Sequence, residues 1–91
     1  AKAAVHEYTR CLAVQLRPYN VRVNCVAPGG TLSPRFLATG QARPAVLEKS
    51  GSLEGYGRPE DIAGPILFLC SPAAAFMTGV VLPVDGGYSI A

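Results

Sequence analysis

Residues 21–29 read VRVNCVAPG, a short apolar stretch that stops at a proline followed by a glycine. Every second residue from Val21 to Ala27 is apolar, which is the spacing of one face of a β-strand. Val26 lies on the opposite face and is also apolar, so we expect burial on both faces, as in parallel sheets. The stretch therefore predicts a buried strand over residues 21–27 in an α/β protein.

The segments on either side predict helices and a second strand. Residues 1–17 repeat apolar side chains at helical spacing and stop where Pro18 forbids continuation. A second helix begins at Pro59 with acidic residues in its first turn, and Pro65 inside it predicts a kink. Val80 to Val84 form the last predicted strand. The order helix, strand, long loop, helix, strand is that of a parallel α/β sheet.

The long connection between the first strand and the second helix contains Pro, Gly, Ser and Ala throughout. We expect two short helical pieces in it, near residues 34–39 and 43–50. A connection of about thirty residues within one domain commonly serves as a lid or binding loop. Its larger apolar side chains can either line a pocket or simply pack the two short helices together; they are Phe36, Leu37, Val46, Leu47 and Tyr56.

Composition and charge exclude several classes of function. The chain has 91 residues, enough for one domain, and its 49% apolar and 15% charged content suits a buried part of a larger body. Eight basic and six acidic side chains are scattered along it, so the net charge of +2 argues against nucleic acid and anionic membrane as partners. No apolar run approaches the roughly 18 residues that span a bilayer.

The three cysteines, Cys11, Cys25 and Cys70, include no CxxC pair. Their apolar neighbours predict reduced, buried thiols rather than metal ligands or nucleophiles, and hence a cytoplasmic setting. No metal site is expected. The first helix has no capping residue before it, and the only methionine is Met77. We therefore expect further sequence upstream of Ala1.

Three stretches in this order resemble the C-terminal part of the short-chain dehydrogenase/reductase family. They are KAAVHEYTRCLAVQL (2–16), VRVNCVAPG (21–29) and GRPEDIAGPILFLCSPAAAFMTGVVLPVDGG (57–87). The resemblance implies that residues 1–91 are about the last third of a single Rossmann-like domain, built on a doubly wound parallel sheet. It also implies that residues 30–57 cover the substrate.

The chemistry implied by the resemblance is hydride transfer between NAD or NADP and a small carbonyl or alcohol. In the family a Tyr-x-x-x-Lys pair lies one turn apart on a helix face, and Lys2 matches the lysine. The tyrosine, four residues earlier, would be the general acid or base. The ammonium group of Lys2 would favour its phenolate and donate hydrogen bonds to the nicotinamide ribose. A solvated lysine at a helix end is the alternative.

The turn that follows the first strand is the second group of residues to which the resemblance gives a role. Pro28 and Gly29 end the strand at the sheet edge where α/β proteins bind ligands. The backbone near Thr31 would hold the nicotinamide carboxamide, and Ser33, which stands in place of the usual threonine, would contact the cofactor through its hydroxyl. The alternative is a plain strand-ending turn. Asp85, in VDGG, is expected to be a turn or capping residue.

Three hypotheses follow for the chain as a whole. The first is a piece of a nicotinamide-dependent oxidoreductase that is inactive alone and whose parent forms dimers or tetramers. The second is one half of a split enzyme, completed by a separate upstream chain. The third is a non-catalytic assembly module that keeps the interaction surfaces of the fold. The sequence does not identify the substrate or decide between NAD and NADP.

Overall fold

A computed structural model describes residues 2–91, apart from the side chain of Lys2. Four helices and two strands follow one another in the predicted order. They are α1 (Lys2–Leu16), β1 (Cys25–Pro28), α2 (Pro34–Ala38), α3 (Pro44–Leu47), α4 (Pro59–Cys70) and β2 (Val81–Val84). Single 3-10 turns follow α1, α4 and β2.

The two strands lie side by side and parallel, with Cys25 opposite Val81 and Pro28 opposite Val84. The predicted α/β class and parallel sheet are confirmed. The N–H groups of Cys25 and Gly29 donate to the carbonyls of Val80 and Val84, at 2.9 and 3.1 Å. Because bonding alternates along a strand, the other edge of β1, which includes the N–H of Val26, has no partner strand among residues 2–91.

The predicted first strand is too long at its start, since β1 begins only at Cys25. Residues 21–24 contact the chain before β2 largely through side chains rather than through a regular ladder. The amide of Asn24 donates to the carbonyl of Met77 at 3.1 Å and accepts from the N–H of Val80 at 3.0 Å. The N–H of Val23 donates to the Thr78 hydroxyl at 3.0 Å. These bonds fix the register before the strands begin.

Helix α1 is confirmed and ends at Leu16, one residue before the predicted end. A 3-10 turn that contains Pro18 then leads to Asn20, which has a left-handed φ of 56°. Its buried positions are Thr9 and Ala13, one turn apart. The hydroxyl of Thr9 donates to the Val5 carbonyl at 2.8 Å, so its polar atom is satisfied within the helix. Small residues therefore form the contact face of α1.

Helix α4 is fixed at both ends by side chains. The N–H of Arg58 donates to the carboxylate of Asp61 at 2.8 Å, which caps the first turn. The guanidinium of Arg22 donates to the carbonyl of Leu69 at 2.6 Å in the last turn. The helix continues across Pro65, although this proline lacks the N–H that would donate to the preceding turn.

Burial is limited in this chain. The side chains of Cys25, Val26 and Ala27 are half-buried. The expectation that both faces of the strand are enclosed is therefore wrong within residues 2–91, where β2 and α4 are the main elements that pack against it. The prediction of buried thiols is also wrong for Cys11 and Cys70, which are exposed, although all three thiols are free. Large apolar side chains with about two thirds or more of their surface exposed are Tyr8, Tyr19, Leu53, Leu67, Phe76, Tyr88 and Ile90.

Substitution of Asn24 tests its role in the register. Asn24→Ala removes both side-chain bonds and leaves the Met77 carbonyl and the Val80 N–H unpaired beside the sheet. We expect the free energy of unfolding, measured by urea titration, to fall by about 1–3 kcal/mol. The exposed Gln15→Ala is the control and should change it by less than about 0.5 kcal/mol. Equal values for the two variants would contradict this role.

Candidate functional site

The turn after β1 lies beside the turn after β2, because parallel strands in register end at the same edge. A Cβ atom placed on Gly29 would meet the Cβ of Asp85 at 2.8 Å and its Cα at 3.0 Å. No side chain fits there without moving the backbone of the second turn. Gly29 is therefore required by this close approach, at the sheet edge where the sequence predicted a ligand site.

The polar groups of this turn are partly used within the turn itself. The hydroxyl of Thr31 donates to the Gly29 carbonyl at 2.9 Å. The hydroxyl of Ser33 accepts from the N–H of Phe36 at 3.1 Å and so caps α2. Within residues 2–91, the N–H groups of Gly30 and Thr31 donate to no protein acceptor. Two free backbone donors thus lie next to the end of the strand.

Residues 30–57 leave the sheet and return to the same point. The N–H of Gly57 donates to the Gly30 carbonyl at 2.9 Å, and the N–H of Leu32 donates to the Gly57 carbonyl at 2.8 Å. Thr31 and Gly57 form an isolated parallel bridge. The two ends of the long connection are therefore held together beside the turn. The short helices α2 and α3 within it are confirmed, and each is shorter than predicted.

Tyr56 is the residue that packs this connection against the turn. A Cβ atom on Gly30 would meet the ring at 2.8 Å, and the ring stands edge-on to Phe36 with centroids 5.2 Å apart. Of the other predicted pocket residues, Leu37 and Leu47 are 49% and 40% exposed. Phe36 and Tyr56 thus pack against each other, whereas these two leucines are partly exposed to solvent.

Asp85 has the turn role that the sequence predicted. Its carboxylate accepts from the N–H of Gly87 at 3.0 Å and from the N–H of Ser89 at 3.1 Å. The Ser89 hydroxyl, followed by these backbone donors, lowers the pKa of the carboxyl below its ordinary value of 3.8. A carboxylate engaged in this way is a structural acceptor rather than a proton donor.

The other predicted site residue, Lys2, begins α1, and its side chain lies outside the described part of the chain. The structure thus places the other predicted residues, Pro28, Gly29, Thr31 and Ser33, at one turn. It gives no position relative to this turn for the Lys2 side chain. A groove of about 510 Å³ lies between β1 and α4, and none of its lining residues belongs to this turn. In the described residues no cluster of His, Cys, Asp or Glu could hold a metal ion.

Two features of the site were not predicted. One is the Tyr56 hydroxyl, which accepts from the N–H of Arg43 at 2.8 Å and thereby ties the start of α3 to the returning chain. The other is the pair of bonds from Asn24 that sets the register. An aromatic residue beside a glycine, and an asparagine inside an apolar strand, were the available signals.

Among the helices of residues 2–91, none is long and apolar enough to cross a membrane.

Comparison with known proteins gives consistent matches along nearly the whole chain. A family model described as "Enoyl-(Acyl carrier protein) reductase" matches residues 1–89. The chain is 50% identical over 91 residues to a cyclohexanol dehydrogenase of Rhodococcus sp. (strain TK6), a match that covers 96% of this chain and 33% of that protein. It is 42% identical over 93 residues to an L-tagatose-forming galactitol 2-dehydrogenase of Cereibacter sphaeroides, covering 99% and 36%.

Solved structures agree with these sequence matches. An oxidoreductase of the short-chain dehydrogenase/reductase family from Burkholderia thailandensis superimposes with a TM-score of 0.85 at 38% identity, covering 100% of this chain and 37% of that one. A short-chain type dehydrogenase/reductase from Mycobacterium marinum also gives 0.85, at 37% identity, covering 99% and 35%. The chain therefore spans about a third of the length of the proteins that it matches.

The contact between the two turns predicts the effect of adding a methyl group to Gly29. Gly29→Ala would place a Cβ against the backbone of Asp85, and we expect the free energy of unfolding in urea to fall by about 1–3 kcal/mol. The matched control is Gly64→Ala, because a Cβ on this glycine of α4 would meet nothing within 4 Å. This control should gain up to about 1 kcal/mol. Similar values for both variants would contradict the close approach.

The lowered pKa of Asp85 predicts a pH dependence of stability. The unfolded chain takes up this proton at a higher pH than the folded chain. The carboxylate therefore stabilises the fold at pH values above its ordinary pKa, and this stabilisation is lost as the pH falls through the lowered pKa of the folded state. We expect Asp85→Asn to be less stable than the wild type at pH 6. The difference should shrink below about pH 4 and vanish once Asp85 is protonated in both the folded and the unfolded wild type. Urea titrations at several pH values measure it; a difference that grows on acidification would contradict the assignment.

Proposed function

Since the chain belongs to the short-chain dehydrogenase/reductase family, we propose that it is the C-terminal third of an NAD(P)-dependent oxidoreductase. In this proposal it supplies one wall of the nicotinamide site and the segment that covers the substrate. The observation that carries the proposal is the turn after β1, which leaves two backbone donors free beside the glycine at the sheet edge.

The residues of this turn fit a nicotinamide group. The free N–H of Thr31 suits the carboxamide oxygen, and Pro28 and Gly29 keep bulky side chains away from it. Ser33 uses its oxygen as an acceptor for the N–H of Phe36, which leaves its O–H as a donor for the cofactor. When bound, the nicotinamide accepts or donates a hydride. The role of this turn is to bind and orient that group.

Lys2 has the second role in the proposal, which rests on sequence alone. Its ammonium group would lie one helical turn from a tyrosine in the upstream part of the protein. A nearby positive charge favours the phenolate, so the tyrosine would exchange a proton with the substrate oxygen near neutral pH. Hydrogen bonds from the same ammonium group would orient the nicotinamide ribose.

The surfaces of the chain support a larger parent protein. One edge of β1 is open, and parallel strands occur in sheets with further strands and covered faces. Exposed apolar side chains such as Leu67 and Phe76 favour burial against other protein. We propose that the upstream part of the domain covers β1 and that the parent forms dimers or tetramers. The free thiols are consistent with a cytoplasmic setting.

A small, uncharged alcohol or carbonyl compound is the substrate class that we favour. Residues 30–57 contain three basic residues, Arg35, Arg43 and Lys49, and two acidic ones, Glu48 and Glu54. Lys49 is already paired with Glu54 at 2.8 Å. Phosphate groups of an acyl carrier are usually bound by clustered cations, which this segment does not offer. Reduction of a carrier-bound enoyl group, named in the family description, is the second candidate.

A chimera tests the proposal. This chain would replace the matching third of the Rhodococcus cyclohexanol dehydrogenase, and NADH or NADPH formation from cyclohexanol would be followed by absorbance. We expect turnover with at least one cofactor and none from the 91-residue chain alone. Lys2→Met in the chimera should lower kcat/KM about 100-fold or more, because the phenolate loses its stabilising charge. The matched control is Arg10→Met, at an exposed cation of the same helix, which should stay within about twofold.

Other outcomes separate the alternatives. A chimera that binds cofactor but shows no turnover would favour the non-catalytic assembly module. Activity regained by mixing this chain with a separately produced upstream part would favour the split enzyme. If Lys2→Met and Arg10→Met had equal activity, the role of Lys2 would be wrong.

A further inference from the structure

Tyr56 contacts three separate places in the chain. Its ring lies over Gly30, in the turn after β1, and edge-on to Phe36, in α2. Its hydroxyl accepts the N–H of Arg43, the residue before α3, at 2.8 Å. One rigid side chain therefore joins the turn, α2 and the start of α3.

In the described residues, few other hydrogen bonds join residues 33–47 to the turn or to the returning chain. The bonds between Gly30, Leu32 and Gly57 close the ends of the connection but do not reach its middle. Leu37 and Leu47, the largest apolar side chains of the middle part apart from Phe36, are substantially exposed. The N–H of Arg43 is the donor that links the start of α3 to the returning chain. The position of α2 and α3 relative to the turn thus depends on Tyr56.

We infer that Tyr56 is a positioning residue, a latch that holds residues 33–47 against the turn after β1. Its ring fixes α2 and the turn, whereas its hydroxyl fixes the start of α3. The two parts act on different helices, so they are separable by substitution. The inference rests on these contacts and goes beyond the proposed function.

Amide hydrogen exchange in the chimera described above, resolved by NMR for residues of this chain, tests the latch. Tyr56→Phe keeps the ring and removes only the acceptor. We expect the Arg43 amide to exchange about three- to tenfold faster, as loss of one hydrogen bond implies. The amides of Leu32 and Gly57, which bond at the closed ends, should stay within about twofold of the wild type. Tyr56→Leu removes the ring as well and should also accelerate the Phe36 amide.

The matched control is Tyr88→Phe, which removes a hydroxyl from a tyrosine that is 84% exposed. The Arg43 amide should exchange at the wild-type rate in this control. An unchanged Arg43 rate in Tyr56→Phe would overturn the latch. Equal acceleration of the amides of Arg43, Leu32 and Gly57 would overturn it too, because it would indicate a general loss of structure.

Gly30→Ala gives a second, independent measurement. The added Cβ would press on the ring of Tyr56, so the Arg43 amide should exchange faster in Gly30→Ala than in the wild type. In a Tyr56→Leu background the same substitution should have little further effect, because the ring that it meets is gone. Additive effects in the double variant would contradict the coupling through the ring. Exchange rates do not depend on turnover, so failure here and failure of the proposed function are distinguishable.

Discussion

The side-chain amide of Asn24 sets the geometry on which the site depends. It bonds to the chain on both sides of Gly79, donating to Met77 and accepting from Val80, just before the two strands begin to pair. An amide supplies a donor and an acceptor at one place, so it satisfies two backbone groups at once. With the register fixed there, the parallel strands end level with each other, at Pro28 and Val84.

Because the two strands end side by side, their turns lie close together, and this explains why the turn after β1 is built from glycines. Gly29 lies against Asp85 of the neighbouring turn, and Gly30 lies under the ring of Tyr56 from the returning connection. Each approach leaves no room for a side chain. The same crowding leaves backbone donors rather than side chains at the sheet edge. This turn is thus shaped by its backbone rather than by its side chains.

The sequence predicted the order of elements, the parallel sheet and the turn role of Asp85. These depend on local signals: helical spacing, proline at helix starts, and glycine after strands. It did not predict that β1 begins at Cys25, that Thr9 and Ala13 form the contact face of α1, or that Cys11 is exposed. Those features depend on which element packs against which. The spacing of apolar residues shows which face of an element is apolar but not which other element covers it.

Ser33 shows how a local role and a role in binding can share one side chain. The resemblance pointed to a hydroxyl facing the cofactor, whereas the structure gives the same hydroxyl the N-cap of α2. The two are compatible because a hydroxyl has one donor and two acceptor sites, and the cap uses only an acceptor. The cap moreover restricts the rotation of the Ser33 side chain. The cap therefore leaves open the contact with the cofactor that we propose for Ser33, because it uses none of the donor capacity of the hydroxyl.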